Sequence, residues 1–171
     1  MSVSKQPPAP PHDLPPRDTR LGWLFVALQF VLLGVLVVEM RAAGQTAPLQ
    51  RTLGVLAATA GATAMGFASR RLGRELRTHP APSSTAVLRV DGPYRFVRHP
   101  IYAGLLLLAA GLAAIGGTAP AVAAFIALLA LLSLKARFEE RLLAERFPGY
   151  PEYARRTPRF VPRLPRSPHR G

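Results

Sequence analysis

Residues 101–134 read IYAGLLLLAAGLAAIGGTAPAVAAFIALLALLSL. No charge interrupts this run, and its one break, Gly116-Gly117-Thr118, divides it into apolar blocks at 101–115 and 119–134. So short a connection predicts a tight antiparallel helical hairpin. Each block is a little shorter than the roughly 20 apolar residues that cross a bilayer. The flanks absorb that shortfall, because Arg98-His99-Pro100 precedes the first block and KARFEERLLAERF can continue the second as a helix.

Two further blocks lie upstream. Residues 21–40, LGWLFVALQFVLLGVLVVEM, contain a single ionisable group, Glu39, and are too long for the apolar core of a signal peptide. Residues 52–68, TLGVLAATAGATAMGFA, are less apolar but place Ala58, Ala62 and Gly66 at four-residue intervals, a stripe that lets membrane helices approach closely. The expectation is an all-α integral membrane protein with about four transmembrane helices. Glu39, next to a boundary and close to Arg41, is expected to pair or snorkel.

The basic residues orient these spans. Of the 22 Lys and Arg, two fall between the first two blocks and none in the Gly116–Thr118 turn, which leaves twenty on the other side of a four-span protein. The positive-inside rule makes that side cytoplasmic, with both termini inside. High Ala, Arg and Pro usage suits a bacterial inner membrane. Residues 1–20 hold six prolines and no apolar run, and residues 163–171 are similar, so both ends read as disordered and 21–162 as the membrane domain.

Composition narrows the function. The formal charge of +13 would suit nucleic acid, but orientation and anionic lipid account for it, so membrane lipids are the expected partners and nucleic acid is not. The chain has no cysteine and no asparagine, and its four histidines, at 12, 79, 99 and 169, are too scattered for a metal site.

Two stretches carry possible chemistry. In VDGPYRFVRHPIYAG, residues 90–104, Asp91-Gly92-Pro93 signals a turn and Pro100 suits the first position of a helix, which puts His99 near the cap beside Arg98 and Tyr102. A helix start with an arginine suits a carboxylate or phosphate, while simple boundary marking and capping is the bland reading. In KARFEERLLAERFPGYPEY, residues 135–153, Glu139 and Glu140 stand among basic residues, followed by a turn that supplies Phe147, Tyr150 and Tyr153. From His99 to the Gly116 turn is ~26 Å of helix and from Gly117 to Glu139 ~33 Å. The hairpin therefore returns the acidic pair to the depth of Arg98 and His99, where the group could hold a zwitterionic ligand. Pairs of Glu139 and Glu140 with Lys135, Arg137 and nearby arginines along the helix are the alternative.

Taken together, GPYRFVRHPIYAG and EERLLAERFPGYPEYARRTPRFVP resemble the isoprenylcysteine carboxyl methyltransferase family, related to the phospholipid N-methyltransferases; the resemblance covers about residues 66–162, including RRLGRELR. It implies an S-adenosylmethionine-dependent membrane methyltransferase acting on a lipid-like or prenylated acceptor, with carboxyl O- or amine N-methylation. Carried over by motif, Arg98, His99, Pro100, Tyr102 and Gly104, the acidic pair Glu139 and Glu140, and Tyr94, Tyr150 and Tyr153 enclose the cofactor. Gly92, Arg159, Phe160 and Pro162 match neighbouring parts of the motif, and residues 135–162 form a cytosolic helix and cap. The resemblance implies that Arg98, His99 and Tyr102 address the methionyl carboxylate and that one of the glutamates takes the amine or ribose. It assigns no catalytic residue. A nicotinamide-dependent membrane lipid reductase and a non-enzymatic transporter or assembly protein are the competing readings.

Overall fold

The computed structural model describes residues 16–42, 44, 46–72 and 88–163. Five α-helices follow in order: α1 Pro16–Ala42, α2 Pro48–Leu72, α3 Pro100–Gly116, α4 Ala119–Arg146 and α5 Tyr150–Arg156, with a 3-10 turn at Gly92–Arg95 before α3. No strand occurs among the described residues. Helices α1, α2 and α3 all begin on proline, whose missing N–H costs nothing at a first helical position. Three stretches, Arg20–Ala42, Pro48–Arg71 and Ala119–Arg146, are long and apolar enough to cross a membrane, whereas α3 is a shorter apolar helix.

Boundaries differ from expectation in a consistent direction. Helix α1 starts at Pro16, inside the region read as an arm, and α2 runs past both ends of its apolar block, whereas α4 starts with its block at Ala119 and continues to Arg146 as the sequence allows. Backbone hydrogen bonding continues through polar flanks wherever no helix breaker stops it. The remainder of the arm, the tail after residue 163 and the approach segment past Leu72 lie outside the described residues.

Helix α3 is the hub of the bundle. It packs against α1 and α4 on one side, where Leu36, Leu128 and Leu132 are fully buried with Leu105 and Ala109. Helix α2 lies along its other side. There Gly54 and Gly61 face Gly111 and Gly104, one heptad apart on each helix. A Cβ on Gly104 would sit 2.7 Å from the Met65 backbone nitrogen and 2.8 Å from the Gly61 oxygen, so the two backbones leave no room for a side chain. The expected Ala58–Ala62–Gly66 stripe is not the contact face. Ala62 and Gly66 are exposed, and only Ala58 belongs to the seam. Outward faces carry Phe30, Val31, Val38, Leu56 and Ile126, each more than half exposed, a coat suited to lipid rather than water.

At the end of α3, Gly117 takes a left-handed conformation with φ of 64°, which glycine adopts without strain. Thr118 follows as the N-cap of α4. Its hydroxyl accepts from the Ala121 N–H at 3.2 Å and donates to Glu39 Oε2 at 2.6 Å. Glu39 is thus tied to the α3–α4 link, a partner that its proximity to Arg41 does not suggest. Gln50 Nε2 adds a bond to the Ala114 carbonyl at 2.9 Å, joining α2 to the same end. Replacing Thr118→Ala removes both roles and is expected to cost about 1–2 kcal/mol of stability, measured by thermal unfolding in detergent, while Thr118→Ser stays close to wild type.

Candidate active site

The end of the bundle opposite Thr118 is closed by two extended segments. Arg98 N–H donates to the Pro158 carbonyl at 2.8 Å and His99 N–H to that of Arg159 at 3.1 Å, so the chain after α5 pairs with the residues leading into α3. Helix α5 is held by a small apolar cluster of Phe147, Tyr150 and Tyr153, against which Leu88, Val90 and Leu143 pack. The turn expected to supply Phe147, Tyr150 and Tyr153 is short, and Tyr150 and Tyr153 stand on helix α5 instead. The turn ends at Gly149, and Pro151 is accommodated in the first turn of a helix.

Inside this closure Glu140 is the focus of the charge. Its Oε1 accepts from Arg98 Nε at 2.9 Å, from Arg159 Nε at 3.0 Å and from His99 Nε2 at 3.1 Å, and its Oε2 accepts from Arg159 Nη2 at 2.6 Å. Arg159 therefore grips the carboxylate with two nitrogens, the geometry that makes such pairs strong. Because a carboxylate oxygen only accepts, His99 presents Nε2–H to it. Arg98 goes further: its Nη1 donates to the carbonyls of Ala154 and Thr157, both at 2.6 Å, fastening the end of α5. His99 occupies the N-cap position of α3, yet its side chain makes no cap bond. The ring is committed to the glutamates instead.

Glu139 faces the other way, toward α3. Its Oε1 accepts from the Tyr102 hydroxyl at 2.5 Å, and its Oε2 lies 3.6 Å from His99 Nδ1. The rings of His99 and Tyr102 are parallel with centroids 5.3 Å apart, so one stack spans both carboxylates. The Tyr153 hydroxyl donates to the Tyr94 carbonyl at 2.5 Å. Burial, with the charge of Glu139 adding to it, pushes the Tyr94 hydroxyl up to about 12, and burial also raises Tyr150 and Tyr153. All three stay protonated donors near neutral pH. The Tyr150 hydroxyl is buried and has no hydrogen-bond partner among the described residues.

The structure thus gathers Arg98, His99, Tyr102, Glu139 and Glu140 at one point, with Tyr94, Tyr150 and Tyr153 in the closure beside it. Pro100 begins α3, and Gly104 serves the contact with α2 rather than the charged cluster. Two polar residues close to the cluster are Gln29, which carries no expectation from the sequence, and Lys135, expected there only as a helical partner of the glutamates. Lys135 stands four residues before Glu139 on the same helical face, a signal that reads equally well as an ordinary helical pair.

Among the described residues the chain is a helical bundle with three helices long and apolar enough to cross a membrane, closed at one end over paired carboxylates and cations, the architecture of an integral membrane protein with a polar site at one end. The chain belongs to the phospholipid methyltransferase family, whose model matches residues 49–149, more than half of its length. The match starts at the beginning of α2 and ends before α5. Among curated proteins it is similar to the cobalt-zinc-cadmium resistance protein CzcN of Cupriavidus metallidurans, 39% identical over 148 residues, which are 85% of this chain and 64% of that protein. It is also similar to the nickel-cobalt-cadmium resistance protein NccN of Alcaligenes xylosoxydans xylosoxydans, 42% identical over 79 residues, 45% of this chain and 37% of that one. The chain spans less than two thirds of the length of each. No solved structure matches it.

Proposed function

We propose that this chain is an integral-membrane methyltransferase that uses S-adenosylmethionine at the cytosolic face of a bacterial inner membrane and methylates a lipid-like acceptor, at a carboxyl oxygen or an amine nitrogen. The observation that carries this reading is the convergence of Glu139, Glu140, Arg98, His99 and Arg159 under one closure, in a chain of the phospholipid methyltransferase family. The residues fit the cofactor's chemistry. Its methionyl group has one carboxylate and one ammonium, and the cluster has donors and acceptors of both kinds. Among the described residues the buried Tyr150 hydroxyl is a donor lacking an acceptor, and Arg159 is the most open of the ion-paired site cations, with 29% of its side chain exposed.

When bound, the cofactor supplies a methyl group already activated on a sulfonium. The chain's own task is to align the acceptor with it and exclude water. The His99–Tyr102 stack, fixed at both edges by the glutamates, gives a rigid wall for that alignment. A carboxylate acceptor needs only orientation, whereas an amine must first lose a proton to a base.

A four-span topology with both termini cytosolic agrees with this placement, since the basic residues cluster at the end that holds the site and the uncharged Gly117-Thr118 link lies at the other. The relatives' names connect them with metal resistance. The reading for this chain is membrane-lipid chemistry in that setting. The test uses the purified protein in nanodiscs of bacterial total lipid with methyl-tritiated S-adenosylmethionine. Label is expected in the organic phase; organic-phase counts equal to those of protein-free nanodiscs would contradict the proposal.

A further inference from the structure

One helical turn inward from Glu139, the inner face of α4 carries another charge. Lys135 lies about 6 Å deeper along the helix axis, and the residue is only 3% exposed. Its Nζ donates to Gln29 Oε1 on α1 at 3.2 Å and stands over the Tyr102 ring, 5.2 Å from the centroid. Among the described residues it forms no ion pair. Glu139, on the same face, is engaged by Tyr102 and His99.

An ammonium withdrawn from water costs several kcal/mol unless a counter-charge answers it. Among the described residues its direct partners are one neutral amide and one aromatic face; Glu139 acts on the charge only through space, so further N–H donors are left unused. Leu128, Leu131 and Leu132 occupy the next turns of α4 inward, and the carboxylate of Glu39 lies at the far end of the bundle, tied to Thr118. Ionisable groups within membrane helices mark ligand sites for this reason. Gln29 suits the same task, because rotation of its amide replaces the oxygen that meets Nζ with an N–H that meets an incoming anion.

We infer that Lys135 and Gln29 form an anion site on the acceptor side of the centre, which takes the carboxylate or phosphate of an amphipathic molecule and holds it one turn below the Glu139–His99 end. Calling that molecule the acceptor rests on the methyltransferase reading; the anion site does not. The position separates the two ligands, with the cofactor under the closure made by α5 and the acceptor's charge between α1, α3 and α4.

The experiment titrates the full chain, in neutral maltoside detergent, with dodecanoate, dodecyl phosphate and dodecanol, and separately with S-adenosylhomocysteine. Wild type is expected to bind at least one of the two anions about tenfold or more tightly than the alcohol, the effect of a buried charged hydrogen bond. The stronger anion identifies the headgroup chemistry. Lys135→Met is expected to erase that preference and Gln29→Leu to reduce it, with S-adenosylhomocysteine binding unchanged in both. If Lys135→Met loses its helical circular dichroism, Lys135→Arg, which should keep the preference, and Gln29→Leu decide the matter. An anion preference that survives Lys135→Met in folded protein belongs to surface arginines and overturns the inference, as does its absence from wild type. A Lys135-dependent preference in protein that ignores S-adenosylhomocysteine sustains the anion site and refutes the methyltransferase reading.

Discussion

Glu140→Gln is expected to be the most damaging single change at the site. The carboxylate answers Arg98, His99 and Arg159 together, and its side chain is only 13% exposed. An amide of the same shape offers one accepting oxygen and turns an N–H toward groups that are themselves donors. Breaking a buried pair from one side typically costs about 3–5 kcal/mol, because the remaining charges stay where water cannot reach them. The loss spreads along the chain, since Arg98 also holds the carbonyls of Ala154 and Thr157. The closure over the site should loosen with it. Thermal unfolding in detergent should show the full drop, and S-adenosylhomocysteine binding should fall by about a hundredfold or more. Glu152→Gln is the control. Glu152 pairs with Arg155 and Arg156, whose side chains are 72% and 77% exposed, so its loss should cost less than about 1 kcal/mol. Equal effects of the two changes would show that Glu140 does not organise this end of the molecule.

Gly61→Ala should be the most damaging change to the bundle itself. Its added methyl would meet the Leu108 backbone, and the Gly104 carbonyl oxygen at 2.5 Å. Backbone atoms cannot rotate aside, so α2 must move off α3 and give up the glycine seam that extends to Gly54 and Gly111. A cost of about 1–3 kcal/mol is expected, toward the upper end because the clash is with main chain. Gly66→Ala makes the same chemical change on the same helix with nothing within 4 Å. It should be neutral or stabilising by up to about 1 kcal/mol through helix propensity. Comparing the melting temperatures of these two variants separates seam packing from any general dislike of alanine in α2.

The same pair of glycines shows where sequence reading reaches its limit. A small residue facing lipid and one facing a partner helix look alike along α2, and only the positions of Gly104 and Gly111 on α3 select Gly54–Ala58–Gly61 over Ala58–Ala62–Gly66. The shared depth of Glu139 and Glu140 with Arg98 and His99, by contrast, was legible from helix rise and a short link, although their contact was not. Those are local properties, and they fix depth before any tertiary contact is known. The partners of Glu39 and Lys135 were not legible. Thr118 is 79 residues from Glu39 and Lys135 is 106 from Gln29, so each pairing depends on how α1 docks against the later helices. Arg159 was visible as part of a motif, but its two-nitrogen grip on Glu140 requires the chain after α5 to fold back along residues 98 and 99. His99 stood where a cap belongs, and the local signal could not foresee that two carboxylates outcompete the helix end for its ring.

The central claim, an S-adenosylmethionine site built on Glu140 and its cations, is tested most directly by calorimetric titration of the purified protein with S-adenosylhomocysteine, with NADPH as the comparison ligand. Saturable binding of S-adenosylhomocysteine to wild type, no binding of NADPH, and near-complete loss of the former in Glu140→Gln is the predicted result. Folded wild-type protein that binds NADPH, or that ignores S-adenosylhomocysteine in both detergent and nanodiscs, would contradict it.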